Sequence, residues 1–342
     1  MPEGRTAIHP DIRPLLDPEY VEIHDRYFAN GIPTADIDPQ LAKDTWNMVF
    51  EDEIDNTLIE SVKDISYGPD KEQVLRLYTP LGPKPSNGYP VLVFYHGGGW
   101  LTGSQANHTV LLTKLAAKLE QVAIVSANYR HSPEHKFPSA HEDAWAAYEY
   151  VVTHSNDLGI DPTSVVIGGF SAGGNLAAYV THKLNQVNRE EPTYPPLVYQ
   201  VLMAPVIDPL AQHRYPSMGT FRNTVGLSRA DMTRYVDLYL DGESKQTYED
   251  DPRLSPIRSP VDSLRQVPAA SIYVAGCDVL RDEGVAYQEK LLDNGVSTEL
   301  RVYEKLPHAV FCVQKYGLSS SLQVIDDTAK DLKKALKLNV NL

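Results

Sequence analysis

Cysteine is scarce. Cys277 and Cys312 are the only two in 342 residues, too few for a disulfide framework or a structural zinc site. They read as small buried hydrophobes, with a bridge between them as the alternative. Long apolar runs are also missing: stretches such as Val91 to Tyr95 are far too short to span a bilayer. The polar start Met1-Pro2-Glu3-Gly4-Arg5 lacks the form of a signal peptide. Basic charge is in deficit, with 31 Lys and Arg against 45 Asp and Glu and a net charge of −14, which repels nucleic acid and anionic membrane surfaces. The expectation is a cytoplasmic protein, monomer or homodimer, with neither a polynucleotide partner nor a membrane span. Low-complexity tracts and internal repeats are absent too. With 42% hydrophobic residues, a chain of this length can bury one substantial core. A single domain over 1–342 is expected.

After Pro90 the chain alternates short apolar runs with helical patterns, as parallel strands joined by crossover helices do. The runs are Val91 to Tyr95, Val122 to Ala127, Val165 to Gly169, Val198 to Met203, Ser271 to Ala275 and Glu299 to Tyr303. Thr109 to Leu119, His141 to Val152 and Asn175 to Leu184 carry apolar residues at helical spacing. Upstream, Val62 to Tyr67 and Val74 to Tyr78 alternate around Gly68-Pro69-Asp70, which predicts an antiparallel leading hairpin. The expected fold is α/β: a mostly parallel central sheet with helices on both faces. Two segments fit neither pattern. Residues 1–58 read as a few short helices, and 209–250, rich in Tyr and Arg, reads as a helical insertion; together they are expected to cap the mouth of the sheet.

Gly169-Phe170-Ser171-Ala172-Gly173 directly follows one predicted strand and directly precedes a helix. Small residues two before and two after a serine permit the sharp turn that lifts its hydroxyl above the sheet, and the helix N-terminus favours developing negative charge. The string alone is weak evidence, since tight turns also contain it; its strand-turn-helix setting gives it weight. His96-Gly97-Gly98-Gly99-Trp100 ends another strand, and consecutive glycines leave N–H groups free to meet an oxyanion. A phosphate loop is disfavoured, because neither Gly-Lys-Ser/Thr nor a completed Gly-x-Gly-x-x-Gly follows. A serine nucleophile needs a base, and the base needs an acceptor to fix its tautomer. His308, after the last predicted strand, is the only histidine beyond His213. Asp278 ends the strand Ser271 to Ala275, whereas Asp282 and Glu283 read as first-turn residues of the next helix. Such a constellation requires no cofactor and no metal.

Taken together, His-Gly-Gly-Gly, Gly-x-Ser-Ala-Gly-Gly-Asn and Asp-x-Leu-x-Asp-Glu-Gly, in this order, resemble the hormone-sensitive-lipase family of α/β-hydrolases over about residues 60–335. Asn128 to Pro138 is similar to a further family segment, read here as scaffold for the glycine loop. The resemblance implies an α/β-hydrolase fold with a helical cap and a serine hydrolase acting on small-molecule carboxylic esters, with Ser171, Asp278 and His308 as catalytic residues. It implies oxyanion donors at Gly98, Gly99 and Ala172, with Gly97 as the alternative, and His96 bracing the loop. It also implies a preference for short acyl chains. The chain departs from the family at Phe170, where many members carry aspartate, and in His308-Ala309-Val310-Phe311. Non-hydrolytic relatives, dehydratase-like or receptor-like, remain the alternative. Trp100, Phe170, Tyr215 and Phe221 are expected to line the substrate pocket, with Tyr235 and Tyr239 as further candidates.

Overall fold

A computed structural model of the chain describes residues 6–31, 37–50, 53–68, 72–241 and 245–338. Parts of both expected cap segments, and the hairpin turn at Pro69 and Asp70, lie outside the described residues. The strands are β1 (Ser61–Tyr67), β2 (Gln73–Thr79), β3 (Tyr89–Tyr95), β4 (Ala123–Ala127), β5 (Ile160–Phe170), β6 (Tyr199–Met203), β7 (Ala270–Ala275) and β8 (Thr298–Tyr303). They form one sheet in the order β1-β2-β4-β3-β5-β6-β7-β8. The leading hairpin is antiparallel, as is the β2–β4 pairing, and every later pairing is parallel.

The helices are α1 (Pro18–Tyr27), α2 (Pro39–Phe50), α3 (Thr109–Leu119), α4 (Ser139–Thr153), α5 (Ser155–Leu158), α6 (Ala172–Glu190), α7 (Pro216–Thr220), α8 (Arg229–Tyr239), α9 (Val261–Leu264), α10 (Arg281–Asp293) and α11 (Ser319–Ala335). Successive residues of a strand point to opposite faces, yet Val91 to Tyr95 are all buried. Both faces of the sheet are therefore covered, which is why its central strands read as unbroken apolar runs. The edge strands β1 and β8 each carry exposed residues instead. Helix α3 packs on α11 and α4 on α6.

The strand boundaries expected from sequence fall within a residue or two, except that β5 begins at Ile160 and pairs Tyr89 with Ile160 ahead of its apolar run. Helix α11 is not among the expected elements. Its place is fixed by Asp331, which accepts hydrogen bonds from Ser271 Oγ at 2.6 Å and Tyr273 Oη at 2.8 Å and pairs with Arg301. Among the described residues no helix is long and apolar enough to cross a membrane. The carboxyl ends of β3, β5, β7 and β8 emerge along one side of the sheet, where ligand sites of open parallel sheets form.

Candidate active site

Ser171 joins β5 to α6 at φ 57° and ψ −120°, a sparsely populated conformation that persists only where surroundings over-determine it. They do so here. Its N–H donates to Met203 O at 2.9 Å, and its carbonyl accepts from Val206 N at 3.1 Å. A Cβ on Gly169 would lie 2.2 Å from Gly173 O, and one on Gly173 would lie 2.0 Å from Tyr95 O. Both flanking positions therefore require glycine, because the turn brings backbone against backbone. Behind it, Asn175 ties the start of α6 down: Nδ2 donates to Val206 O at 3.0 Å and Leu254 O at 2.8 Å, while Oδ1 meets His141 Nε2 at 2.9 Å.

The glycine loop leaves β3 beside this turn. Gly98 has φ +124° and Gly99 φ +61°, and a Cβ at Gly98 would lie 2.1 Å from Thr102 O. The amides of Gly97, Gly98, Gly99 and Ala172 donate no backbone hydrogen bond among the described residues. The loop is held from behind by His96, whose Nδ1–H donates to Gly97 O at 2.8 Å and whose ring stacks on Tyr129 at 4.2 Å. Tyr129 Oη in turn donates to His96 O at 2.9 Å, and Ser132 N to Trp100 O at 2.8 Å. Arg130, paired with the buried Asp143 at 2.8 Å, anchors that brace. Burial pushes the His96 imidazole down to about 4 and that of the neighbouring His108 to about 3, so both are neutral near pH 7.

Asp278 and His308 come together. His308 Nδ1–H donates to Asp278 Oδ2 at 2.7 Å, and Asp278 Oδ1 accepts from Leu280 N at 3.1 Å. The two loops are joined by backbone, with Gly276 N on Tyr303 O and Cys277 N on Leu306 O, both at 2.9 Å. The other acids are occupied elsewhere. Asp282 accepts from Ser217 N at 2.7 Å and from Arg281 Nε at 2.8 Å. Glu283 accepts from Ile207 N at 2.7 Å, and burial holds its carboxyl well above the usual range. Both lie in the first turn of α10 as expected, and each also tethers a neighbouring segment. Cys277 and Cys312 are free thiols.

A cavity of about 620 Å³ is lined on the sheet side by Phe170, Thr102 and His308, whereas Ser171, Asp278 and the glycines of the loop are not among its lining residues. Its opposite wall comes from α1 and α2, including His24, Ala42 and Trp46, and from residues 223–231. Of the aromatics expected there, only Phe170 is among the lining residues, and Trp100, Tyr215 and Phe221 are not. Trp100 is fully buried and stacked on Tyr239 at 4.7 Å, Tyr215 donates to Asp208 at 3.0 Å, and the Arg281 guanidinium covers Phe221 at 5.1 Å. These rings hold the 209–250 insertion onto the sheet. Tyr239 meets His141 Nδ1 at 2.8 Å, and Tyr235 lies where a Cβ on Gly99 would be 2.4 Å away. Ala42, Thr45 and Trp46 are lining residues that the sequence does not single out. They share one face of α2 by their three-to-four spacing. That spacing is visible in the sequence, but the direction of the face is not.

Residues 92–312 match a protein family described by the α/β-hydrolase fold. A carboxylic ester hydrolase of Mycobacterium tuberculosis, LipN, is 38% identical over 265 residues, covering 76% of this chain and 67% of its own. An AB hydrolase superfamily protein of Schizosaccharomyces pombe is 34% identical over 88% of this chain and 89% of its own. Among solved structures, an α/β-hydrolase enzyme from the metagenome of Lake Arreo superposes with a TM-score of 0.82 at 28% identity, covering 95% of this chain and 99% of that one. The chain belongs to the α/β-hydrolase family, in its branch of hormone-sensitive-lipase-like carboxylesterases.

Proposed function

We propose that this enzyme hydrolyses carboxylic esters through an acyl-enzyme on Ser171, with His308 as general base, Asp278 as its partner, and the amides of Gly98, Gly99 and Ala172 as oxyanion donors. Gly97 is the alternative donor. The observation that carries the reading is the 2.7 Å hydrogen bond from His308 Nδ1 to Asp278. With Nδ1–H committed to Asp278, Nε2 is the basic nitrogen. Nε2 takes the Ser171 proton while Oγ bonds to the ester carbonyl carbon and the carbonyl electron pair moves onto oxygen. The tetrahedral oxyanion collapses and the alkoxide leaves with the proton from the imidazolium. Water, deprotonated by Nε2, then attacks the acyl-enzyme, and collapse returns Ser171 and a carboxylic acid. Donors aimed at the oxyanion act mainly in the transition state, where the charge is greatest.

The substrate is a small-molecule ester with a short acyl chain and room for a bulkier alcohol. At roughly 30 Å³ per water-sized group, a cavity of about 620 Å³ exceeds what a two-carbon acyl group fills. The segments within 1–58 and 209–250 act as the cap that bounds this volume. A fluorophosphonate should add its mass to the peptide containing Ser171, and Ser171→Ala should lower kcat on p-nitrophenyl acetate by about 10⁴-fold or more. Labelling of a different serine, or a fully active Ser171→Ala protein, would overturn the assignment.

A further inference from the structure

Phe170 touches groups that the chemistry must keep in register. Its ring centroid lies 4.7 Å from that of His308 with 32° between the planes, 5.4 Å from His108 and 5.8 Å from Phe311. A Cβ on Gly97 would lie 2.5 Å from Phe170 Cδ1, so the ring also fills the space that Gly97 leaves. Its backbone carries Ser171 directly. Phe170 is 1% exposed and His308 5%, so water hardly screens what passes between the rings.

We propose that Phe170 is a positioning residue for the reaction, one that holds the His308 ring and offers its π face to the imidazolium formed when His308 takes the Ser171 proton. The proposal rests on the triad reading above. An aromatic face attracts a cation, more strongly when both are desolvated, and that cation exists only once the proton has moved. The attraction therefore lowers the barrier rather than the ground state. The titratable groups facing His308 are Asp278 on its Nδ1, His108 across the Phe170 ring, Cys312 one turn on, and Asp231, His9, His24 and Tyr20 on the cavity walls. The imidazoles recorded against the Phe170 ring are those of His308 and His108, and burial pushes His108 down to about 3, so the cation that develops against this ring is that of His308.

A series of 4-fluoro-, 3,4,5-trifluoro- and pentafluorophenylalanine at position 170 keeps the ring's shape and drains its π face stepwise, and Phe170→Leu removes the face. The kcat/KM of each on a neutral p-nitrophenyl ester is measured against pH. Loss of the π face should lower the plateau by about three- to thirty-fold. It should also move the acid limb to lower pH by the matching amount, about half to one and a half units, because the free enzyme's imidazolium is destabilised equally. The profiles then converge below the limb, where the two changes cancel. Curves that fall in parallel at every pH, or that ignore fluorination while Phe170→Leu alone is slow, would reduce Phe170 to packing and overturn the proposal. Failure of the triad reading shows separately, as a Ser171→Ala protein with undiminished activity.

Discussion

The two walls of the cavity are built differently. On the sheet side the backbone holds the site: Ser171 is bonded through both its N–H and its carbonyl, and the Asp278 and His308 loops are joined at Gly276–Tyr303 and Cys277–Leu306. On the opposite wall α2 presents Ala42, Thr45 and Trp46 as side-chain volume. Side-chain changes leave backbone bonds in place, so the first wall can keep reacting groups within fractions of an ångström. The second can change shape without disturbing them. On the function proposed above, the reaction class would belong to the sheet side and the choice of ester to the helices facing it. The separation is incomplete, because Asp17 N donates to Lys305 O at 2.8 Å, close before His308, and Thr224 Oγ1 to Cys277 O at 2.9 Å.

Substitutions on the sheet side should be the most costly. Asp278→Asn keeps the volume but removes the charge that orients His308 and balances its imidazolium; in chymotrypsin-type serine proteases the same exchange costs about 10⁴ in kcat. A loss of that order is expected here at unchanged thermal stability, while Asp282→Asn should cost at most about tenfold because its partners are Ser217 and Arg281. The reverse ranking in steady-state kinetics would break the contrast between the two acids. Next comes the oxyanion loop. Gly98, at φ +124°, cannot accept proline, whose φ is fixed near −65°. Ala172 is the first residue of α6, where a helix needs no N–H. Ala172→Pro should therefore delete one donor and lower kcat by about 10²–10³, with a small change in KM. Unchanged kcat in a folded variant would remove Ala172 from the hole.

Acid should weaken the fold through its buried histidines. His96, His108, His141 and His182 are pushed down by burial to about 4, 3, 3 and 3. Their native values lie below the unfolded value near 6.5, so the unfolded chain binds protons that the native chain refuses. Stability is then intact above about pH 6.5 and falls as pH drops through the window down to about 4 for His96 and about 3 for the other three. The fall is roughly 1.4 kcal/mol per pH unit for each histidine. Urea unfolding at pH 7, 6 and 5 should show the midpoint dropping progressively; a flat midpoint would mean that these sites open before they charge.

The same division explains what can be read from sequence. The glycines around Ser171, the glycine loop and the strand ends are legible because each answers to a local constraint that leaves a short signature: a Cβ that would strike Tyr95 O, or an apolar run that two covered faces demand. Asp278 separates from Asp282 and Glu283 by its place in the loop just after β7, ahead of α10. The cavity's aromatics do not yield in this way. Trp100, Tyr215 and Phe221 look like lining residues in composition, but their partners Tyr239, Asp208 and Arg281 lie between 7 and 139 positions away, and no local pattern announces such pairings. Helix α11 escapes for the same reason, its docking being set by Asp331 on β7 and β8 side chains.

The smallest effect expected is the one that tests the helical wall. Deleting the N-terminal segment would be a poor test, because Ile12, Leu16 and Tyr20 are buried in the main core and their loss would disturb the His308 loop through Asp17 and Lys305. Point changes on α2 avoid this. Trp46 is half-buried and lines the cavity one helical turn after Ala42, so Trp46→Ala enlarges the space and Ala42→Leu reduces it, from the same face and without touching a backbone bond of the sheet side. A methylene gained or lost in such a pocket is worth about 1–3 kcal/mol of discrimination at best, less where solvent reaches it. Against p-nitrophenyl acetate, butyrate and octanoate, Trp46→Ala should raise the octanoate to acetate ratio of kcat/KM by about three- to tenfold, and Ala42→Leu should lower it, with acetate turnover nearly constant in both. If acetate kcat fell by orders of magnitude in either variant, α2 would be holding the reacting groups and the two walls would not be separable. If both ratios stayed fixed, the acyl chain would lie elsewhere and α2 would bound the alcohol instead, which the same variants would reveal with acetate esters of increasingly long alcohols.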